Sequence, residues 1–224
     1  MTGRQLFDDW PERYDHWFDT PVGKAVLKHE VTLVLDLLRP IRGEKILDAG
    51  SGTGIFTREF LIRGADVVGL DISWAMLRWA QTKNEAFSHR VVTADMTLLP
   101  FDDSVFDKTI SVTALEFIED EKKAVAELFR VTKPGGIVVV ATLNSLSLWA
   151  IRRRERARQD RESIFNRVIF RSPAQLLAAA SVSGTVRTAV HFGKEDDPAE
   201  LDRIERAGQG RETGAFIVAR WEKR

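Results

Sequence analysis

The stretch K-I-L-D-A-G-S-G-T-G-I-F-T, residues 45–57, sets three glycines at alternate positions directly after an apolar run and an acid. An apolar run that enters a Gly-rich turn and leaves into a helical pattern (Ile55, Phe56, Phe60, Leu61) predicts strand, tight loop and helix start. Such a turn presents bare main chain and N–H groups at the positive end of a helix, which suits a ligand carrying oxygen acceptors. Two nucleotide motifs begin this way and neither is completed. The dinucleotide fingerprint G-x-G-x-x-G needs a third glycine at position 55, which is Ile55. The phosphate-binding loop G-x-x-x-x-G-K-[ST] finds no Gly-Lys pair at its spacing. What remains is D-x-G-x-G-x-G, led by Asp48.

The rest of the chain alternates between two periods. Residues 22–38 carry apolar side chains at helical spacing (Val22, Ala25, Val26, Leu33, Leu37) and stop at Pro40. Short apolar runs follow at 45–49, 66–72, 90–94, 108–113 and 137–143, with helical patterns at 54–63, 74–83 and 120–131 between them. Strands separated by helices form βαβ units, and right-handed crossovers give a parallel sheet covered on both faces. Ligands of such sheets sit at the carboxyl ends of the strands. Asp71 stands at the second of these ends, where its carboxylate can accept both ribose hydroxyl protons; alternatively Asp71 or Ser73 simply caps the helix that follows. At the third end Asp95 can accept from an exocyclic amine beside Met96, or serve as a turn aspartate.

Composition narrows the class. At 224 residues and 44% hydrophobic content the chain can bury a core of its own and fits one domain. Lysine plus arginine number 33 and aspartate plus glutamate 33, so no net field favours nucleic acid or an anionic membrane. The absence of cysteine excludes disulfides, thiolate metal sites and a cysteine nucleophile. No zinc spacing, His/Glu/His cluster or serine elbow occurs, and no metal is expected. The opening M-T-G-R-Q-L-F-D-D-W has acids where a signal peptide would be apolar, and no run reaches membrane-spanning length; the expectation is a soluble, cytoplasmic protein.

Taken in order, D-A-G-S-G-T-G, G-L-D-I-S, A-D-M, L-P-F-D-D-S-V-F-D and V-T-K-P-G-G resemble the class I S-adenosylmethionine-dependent methyltransferases, in particular the small-molecule group called type 11 or UbiE-like. The resemblance spans about 130 residues from Tyr14 to Leu143, and the late strands T-V-R-T-A-V-H-F and G-A-F-I-V-A-R-W-E resemble that family's closing hairpin. It implies an α/β, Rossmann-like, doubly wound sheet of seven mostly parallel strands with a final antiparallel hairpin strand. It implies S-adenosylmethionine as methyl donor and S-adenosylhomocysteine as product. Gly50 and Gly52 would admit the methionine moiety, with Asp48 orienting their loop. Asp71 would hold the ribose, Ile72 and Met96 would sandwich the adenine with Met76 touching it from the helix side, and Asp95 would take its amine. Thr113 and Ala114 would floor the methyl group. Lys133-Pro134-Gly135-Gly136 would turn the chain into the fifth strand. Where relatives often carry histidine this sequence has Glu116-Phe117, a departure that leaves the acid–base assignment open.

The acceptor side is read from two variable stretches. Phe7, Trp10, Tyr14, Trp17 and Phe18 recur at helix-compatible spacing ahead of the sheet, either as a packed helix or as a lid, with Tyr14, His16 and Asp19 interleaved as polar handles. After the fifth strand, six arginines between 152 and 161 alternate with Glu155 and Asp160 as on a solvated helix. Asn144, Trp149, Phe165 and Phe170 flank that run and, with Trp17, are the expected pocket wall. Glu116, Tyr14 and His16 are the candidate catalytic groups, needed only if the acceptor must lose a proton. Ser172 and Pro173 start a further helix. The acids between the last two strands read as a solvent-exposed helical excursion, and His191 just before them faces either pocket or solvent. The expected division is an N-terminal lid and helix (1–40), a cofactor-binding core (41–144), an acceptor-side insertion (145–175) and a C-terminal helix and hairpin (176–224). The competing readings are an NAD-linked reductase, which Ile55 argues against, and a catalytically silent nucleoside-binding domain. The partner expected is a small-molecule acceptor, with neither nucleic acid nor membrane; the oligomeric state is left open.

Overall fold

The computed structural model describes residues 4–87 and 89–224, so residues 1–3 of the expected lid lie outside it. Two helices lead the chain, α1 (Pro11–Trp17) and α2 (Pro21–Leu38). Thr20 caps α2 by accepting from the Gly23 amide at 3.0 Å, Pro21 opens it, and Arg39 in the left-handed conformation ends it. Then strands and helices alternate: β1 (Lys45–Ala49), α3 (Ile55–Ile62), β2 (Asp66–Asp71), α4 (Trp74–Lys83), β3 (Arg90–Thr93), β4 (Phe106–Val112), α5 (Glu121–Val131) and β5 (Thr132–Leu143). The chain finishes with α6 (Leu148–Gln159), α7 (Pro173–Leu177), β6 (Gly184–Ala189), α8 (Leu201–Gly208) and β7 (Phe216–Glu222).

The strands form one seven-stranded sheet in the order β3-β2-β1-β4-β5-β7-β6. Pairing is parallel through β5, and β7 runs antiparallel to both β5 and β6. The expected Rossmann-like architecture with its closing hairpin is the one observed. Because side chains alternate across a strand, neighbours feed opposite layers. Ile46, Val139 and Val218 join Val34, Leu38, Phe56 and Phe60 of α2 and α3. Leu47, Val140 and Ala219 join Val125 and Leu128 of α5 and Leu176 of α7 on the other face. Ser172 and Gln175 form a reciprocal capping box at the start of α7.

Three elements differ from the sequence reading. Strand β4 begins at Phe106, which pairs with Thr132 before the register jumps to Lys108 opposite Ile137. The K-P-G-G turn is therefore a bulge within β5, with Gly135 at φ +75° donating its amide to the Lys223 carbonyl at 2.7 Å. The late acidic excursion is helical as expected but not wholly solvent-exposed: α8 buries Leu201 and Glu205. The Glu205 carboxylate accepts from the amides of Val190 (3.0 Å) and His191 (2.7 Å), tying α8 to the chain it leaves. His191 consequently packs against Gly208 at the end of α8. Among the described residues no helix is long and apolar enough to cross a membrane.

Candidate active site

The glycine loop is shaped by three different needs. Gly50, Gly52 and Gly54 all have positive φ, at +78°, +52° and +74°. A Cβ on Gly50 would lie 2.3 Å from the Ala114 Cβ, because the loop begins pressed against the end of β4. A Cβ on Gly54 would meet Asn84 Nδ2 at 2.8 Å and Ala80 Cβ at 3.0 Å, where the loop closes on α4. Gly52 alone looks outward, its nearest neighbour being Met76 Cε at 4.0 Å. Two of the glycines thus serve packing, and the middle one leaves backbone bare toward a cavity.

That cavity, about 330 Å³, is lined by Asp48, Gly52, Asp71, Ile72, Met76 and Met96 together with Gly50, Asp95, Thr113 and Ala114. All ten residues expected at the nucleoside site therefore converge on one space. Asp48 lies buried beneath the loop, where its Oδ2 accepts from Thr57 Oγ1 at 2.6 Å; burial pushes its carboxyl up to about 7. Asp71 Oδ2 accepts from the Gly52 amide and Oδ1 from the Ser73 amide, each at 2.9 Å. Burial raises the Asp71 carboxyl above the usual carboxylate range, and these backbone bonds oppose the rise. Ser73 is the cap of α4, its hydroxyl accepting from the Met76 amide at 3.2 Å, so capping does not account for Asp71. Asp95 Oδ1 accepts from the Thr97 amide and hydroxyl, both at 2.8 Å, in a side-chain turn. Its second oxygen has no hydrogen bond among the described residues. Bare Gly52 backbone, a carboxylate at each of two neighbouring strand ends and an apolar slot between Ile72 and Met96 match the donor and ring pattern of an adenosine with a charged amino-acid tail.

A second, larger cavity of about 1130 Å³ opens beside the first. Phe7, Tyr14, Thr113 and Phe117 line both. Thr113 holds a left-handed φ of +50° at the tip of β4, unusual for a β-branched residue, and its hydroxyl lies 3.4 Å from the Tyr14 hydroxyl. Burial raises the Tyr14 hydroxyl well above the ordinary phenol value. Trp17, Trp149 and Phe165 wall the space as expected, the Trp149 indole anchored by donating to the Phe192 carbonyl at 2.6 Å.

Its charged groups are unusual. Glu116 sits in a short 3-10 helix, Leu115–Phe117, buried, with Thr142 Oγ1 donating to Oε2 at 3.0 Å; burial pushes its carboxyl up to about 7. Glu30 of α2 is only 7% exposed and is pushed up to about 8 by burial, against the pull of the Arg153 charge. The Arg153 guanidinium lies 5.0 Å from the Trp149 ring and 4.9 Å from that of Phe165, and burial lowers its pKa. Neither Glu30 nor Arg153 makes a hydrogen bond or close ion pair among the described residues.

Two expected residues fall elsewhere, and a third lies at the exposed side of the site. Asn144 is fully buried but turned inward, its Nδ2 donating to the carbonyls of Glu212 and Gly214 at 2.7 Å and its Oδ1 accepting from the Leu146 amide at 3.0 Å. It braces a chain crossing and lines neither cavity. Phe170 is buried beneath the Arg154 guanidinium, 4.8 Å from its ring centre, and also lines neither. His16 lines the larger cavity, with its side chain 83% exposed beside Asp19 at 3.4 Å. Conversely, the arginine run is not wholly solvated, since Arg153 turns inward four residues after Trp149.

The N-terminal segment is fastened by polar bonds. Asp15 Oδ1 accepts from Thr53 Oγ1 at 2.6 Å, and Oδ2 accepts from Trp79 Nε1 at 2.7 Å and Lys83 Nζ at 2.6 Å. Asp8 Oδ1 accepts from Ser73 Oγ at 2.7 Å. Helix α1 buries no residue completely. Among the described residues no group of metal-ligating side chains assembles.

Comparison with known proteins agrees with this geometry. Residues 47–140 match the family described as a methyltransferase domain. The demethylmenaquinone methyltransferase of Renibacterium salmoninarum is 35% identical over 136 residues, 61% of this chain and 56% of that one. The malonyl-[acyl-carrier protein] O-methyltransferase of Salmonella typhimurium is 36% identical over 128 residues, 57% of this chain and 50% of that one. The chain thus spans about half the length of the curated relatives it matches. A SAM-dependent methyltransferase from Thermotoga maritima shares the fold, with a TM-score of 0.77 over 97% of this chain and 98% of that one at 24% identity.

Proposed function

We infer, from a chain whose residues 47–140 place it among the class I S-adenosylmethionine-dependent methyltransferases, that it transfers a methyl group to a small-molecule acceptor. The observation that carries this is the junction at Thr113, where a nucleoside-sized cavity opens into a second, aromatic-walled one. The donor, when bound, supplies a methyl group on a positively charged sulfur that is already a good leaving group. The protein's work is then alignment and exclusion of water. Asp71 and the Gly52 backbone hold the ribose and tail, Asp95 and the Met96 slot take the base, and Asp48 stiffens the loop from beneath. Glu116, orientable through Thr142 and facing the second cavity, is the group available to receive an acceptor proton. Tyr14 is the weaker candidate, because burial disfavours its ionised form; its hydroxyl is better suited to donate a hydrogen bond beside Thr113.

The segment from Phe7 to Phe18 acts as a lid. Its aromatic side chains from Phe7 to Trp17 are half-buried, Phe18 alone being buried, and with the polar fastenings at Asp8 and Asp15 they support a cover that can lift with little exposure of the core. The relatives' names specify a demethylmenaquinone and a malonyl carrier acceptor; the acceptor here is drawn from the cavity instead.

Calorimetry with S-adenosylhomocysteine, NAD and NADP tests the reading. Binding of S-adenosylhomocysteine in the micromolar range, roughly −8 kcal/mol, is expected. Tight NAD binding with no response to S-adenosylhomocysteine would sink it.

A further inference from the structure

The larger cavity is lined by more acidic groups than its arginines can pair. Glu30 and Glu116 both face it beside the single guanidinium of Arg153, and Arg171, whose charge also reaches Glu116, is already paired with Glu121 at 3.5 Å. The guanidinium of Arg153 packs against the rings of both Trp149 and Phe165, and it forms no ion pair with either acid among the described residues. Glu116 has Thr142 as a partner, whereas Glu30, more than nine-tenths buried and aimed into the cavity, has no hydrogen bond among the described residues. A buried carboxyl left in that condition is costly, and a fold that keeps one on the apolar face of α2 between Val26 and Val34 keeps it for a ligand. The mouth leans the same way, with Asp9, Glu12, Asp160 and Glu162 against Arg13.

We propose that the acceptor is a cationic amine with an apolar or aromatic body, held by Glu30 among the aromatic walls and methylated on nitrogen. This rests on the methyltransferase reading. One positive charge completes the balance of two carboxylates and one guanidinium, and the indole and phenyl walls add their attraction for an ammonium. A phenol or carbon acid would leave Glu30 without a partner, and a carboxylate acceptor would add to the surplus. The reaction balances in the same site. The ammonium gives a proton to the Glu116 carboxylate, and the nitrogen lone pair then forms the bond to the methyl carbon. The carbon–sulfur bond breaks with its electrons left on sulfur, so the positive charge passes from the sulfonium to the methylated nitrogen and a neutral thioether remains. Glu30 gives up its proton as the ammonium settles beside it, and as a carboxylate it holds first the ammonium and then the product.

The test uses the whole chain and three matched probes, 2-phenylethylamine, 2-phenylethanol and 3-phenylpropionate, titrated with and without S-adenosylhomocysteine. The amine should bind at least tenfold more tightly than either counterpart, and Glu30→Gln should abolish that preference while leaving S-adenosylhomocysteine affinity within twofold. Retained S-adenosylhomocysteine binding and a melting temperature no lower than the parent's certify that Glu30→Gln is folded. Tighter binding of the carboxylate than of the amine would overturn the proposal and reassign the site to Arg153. Equal binding of all three, or an amine preference that survives Glu30→Gln, would overturn it as well. Failure of S-adenosylhomocysteine to bind would strike the methyltransferase reading instead, and the amine preference would still be read from the titrations made without it.

Discussion

The two cavities share a wall yet are built by opposite means. The smaller is made of strand tips and main chain: Gly52, Asp71 and Asp95 are fixed by backbone hydrogen bonds, and its acids already have partners. The larger is made of side chains from α1, α2, α6 and the short 3-10 helix, and two of its charged side chains, Glu30 and Arg153, have no polar partner among the described residues. The first can hold one shape of ligand; the second can be retuned by single substitutions without disturbing the sheet. A common donor beside a variable acceptor asks for that division.

Substitutions at the glycines break the comparison most directly. Gly50→Ala combines a positive φ with a 2.3 Å overlap on Ala114, and should cost about 2–5 kcal/mol of stability from strain and overpacking together. Gly52→Ala, with open space before it, should cost about 1 kcal/mol of stability while removing most S-adenosylhomocysteine affinity. Thermal melts and calorimetry on both variants check this, and identical behaviour of the two would erase the distinction between packing and ligand glycines.

Asp71→Ala comes next. Loss of charge-assisted bonds to a ribose should weaken S-adenosylhomocysteine binding by roughly 2–4 kcal/mol, whereas Glu30→Gln leaves it alone. If the two variants lose affinity equally, the cavities are not separate functions.

Acidity sharpens the contrast further. In the folded chain Glu30 keeps its proton up to about 8 and Glu116 and Asp48 up to about 7, against ordinary values of 4.5, 4.5 and 3.8. The folded state therefore binds more protons than the unfolded one between those limits, and ligand-free stability falls as pH rises from about 4.5 to 8. His89, held below 6.5 by burial, acts in the opposite sense near neutrality. Glu30→Gln isolates one contribution: at pH 8 the variant should be the more stable protein by roughly 1–3 kcal/mol, and at pH 5 the two should melt alike. Melting curves across that range decide it; a constant offset at every pH would contradict the buried-carboxyl account.

Much of this was legible beforehand, for a reason the cavities themselves supply. Strand-tip residues are spaced by the length of a helix plus a strand, so Asp48, Asp71, Asp95 and Thr113 announce themselves in order. Groups that meet across the larger cavity come from segments far apart in the chain, and no local period links Glu30 to Arg153, 153 − 30 = 123 positions later. Each still left a trace. Glu30 interrupts the buried stripe Val26, Leu33, Val34, and Arg153 follows Trp149 by one helical turn. Asn144 and Phe170 misled because a place beside the arginine run was taken for access to a pocket, while the fold turns one into a chain crossing and covers the other with Arg154. Asp15 left no trace at all: an acid on an aromatic helix reads as solvated until Trp79 and Lys83 are found above it.

Asp15 also supplies a smaller expected effect. Asp15→Asn should cost about 1–2 kcal/mol through its three lost or weakened bonds. Turnover should fall further than S-adenosylhomocysteine affinity, as steady-state kinetics beside calorimetry would register; a loss confined to affinity would deny the segment any role as a cover. Smallest of all, Arg156→Ala on the solvated face of α6 should stay within about 0.5 kcal/mol and leave binding unchanged, since its one ionic neighbour, Glu195, lies 3.9 Å away and both are exposed.

The four residues common to both cavities, Phe7, Tyr14, Thr113 and Phe117, bind the two halves into one thermodynamic unit. A ligand that settles on either side stills groups the other side needs in place, so the entropy of ordering them is spent once rather than twice. Linkage makes the benefit mutual: each ligand must tighten the other by the same factor, of the order of 5–150-fold in systems of this kind. A compound that looks like a poor acceptor on the bare protein and a good one beside S-adenosylhomocysteine is then a single molecule measured on two sides of one thermodynamic cycle.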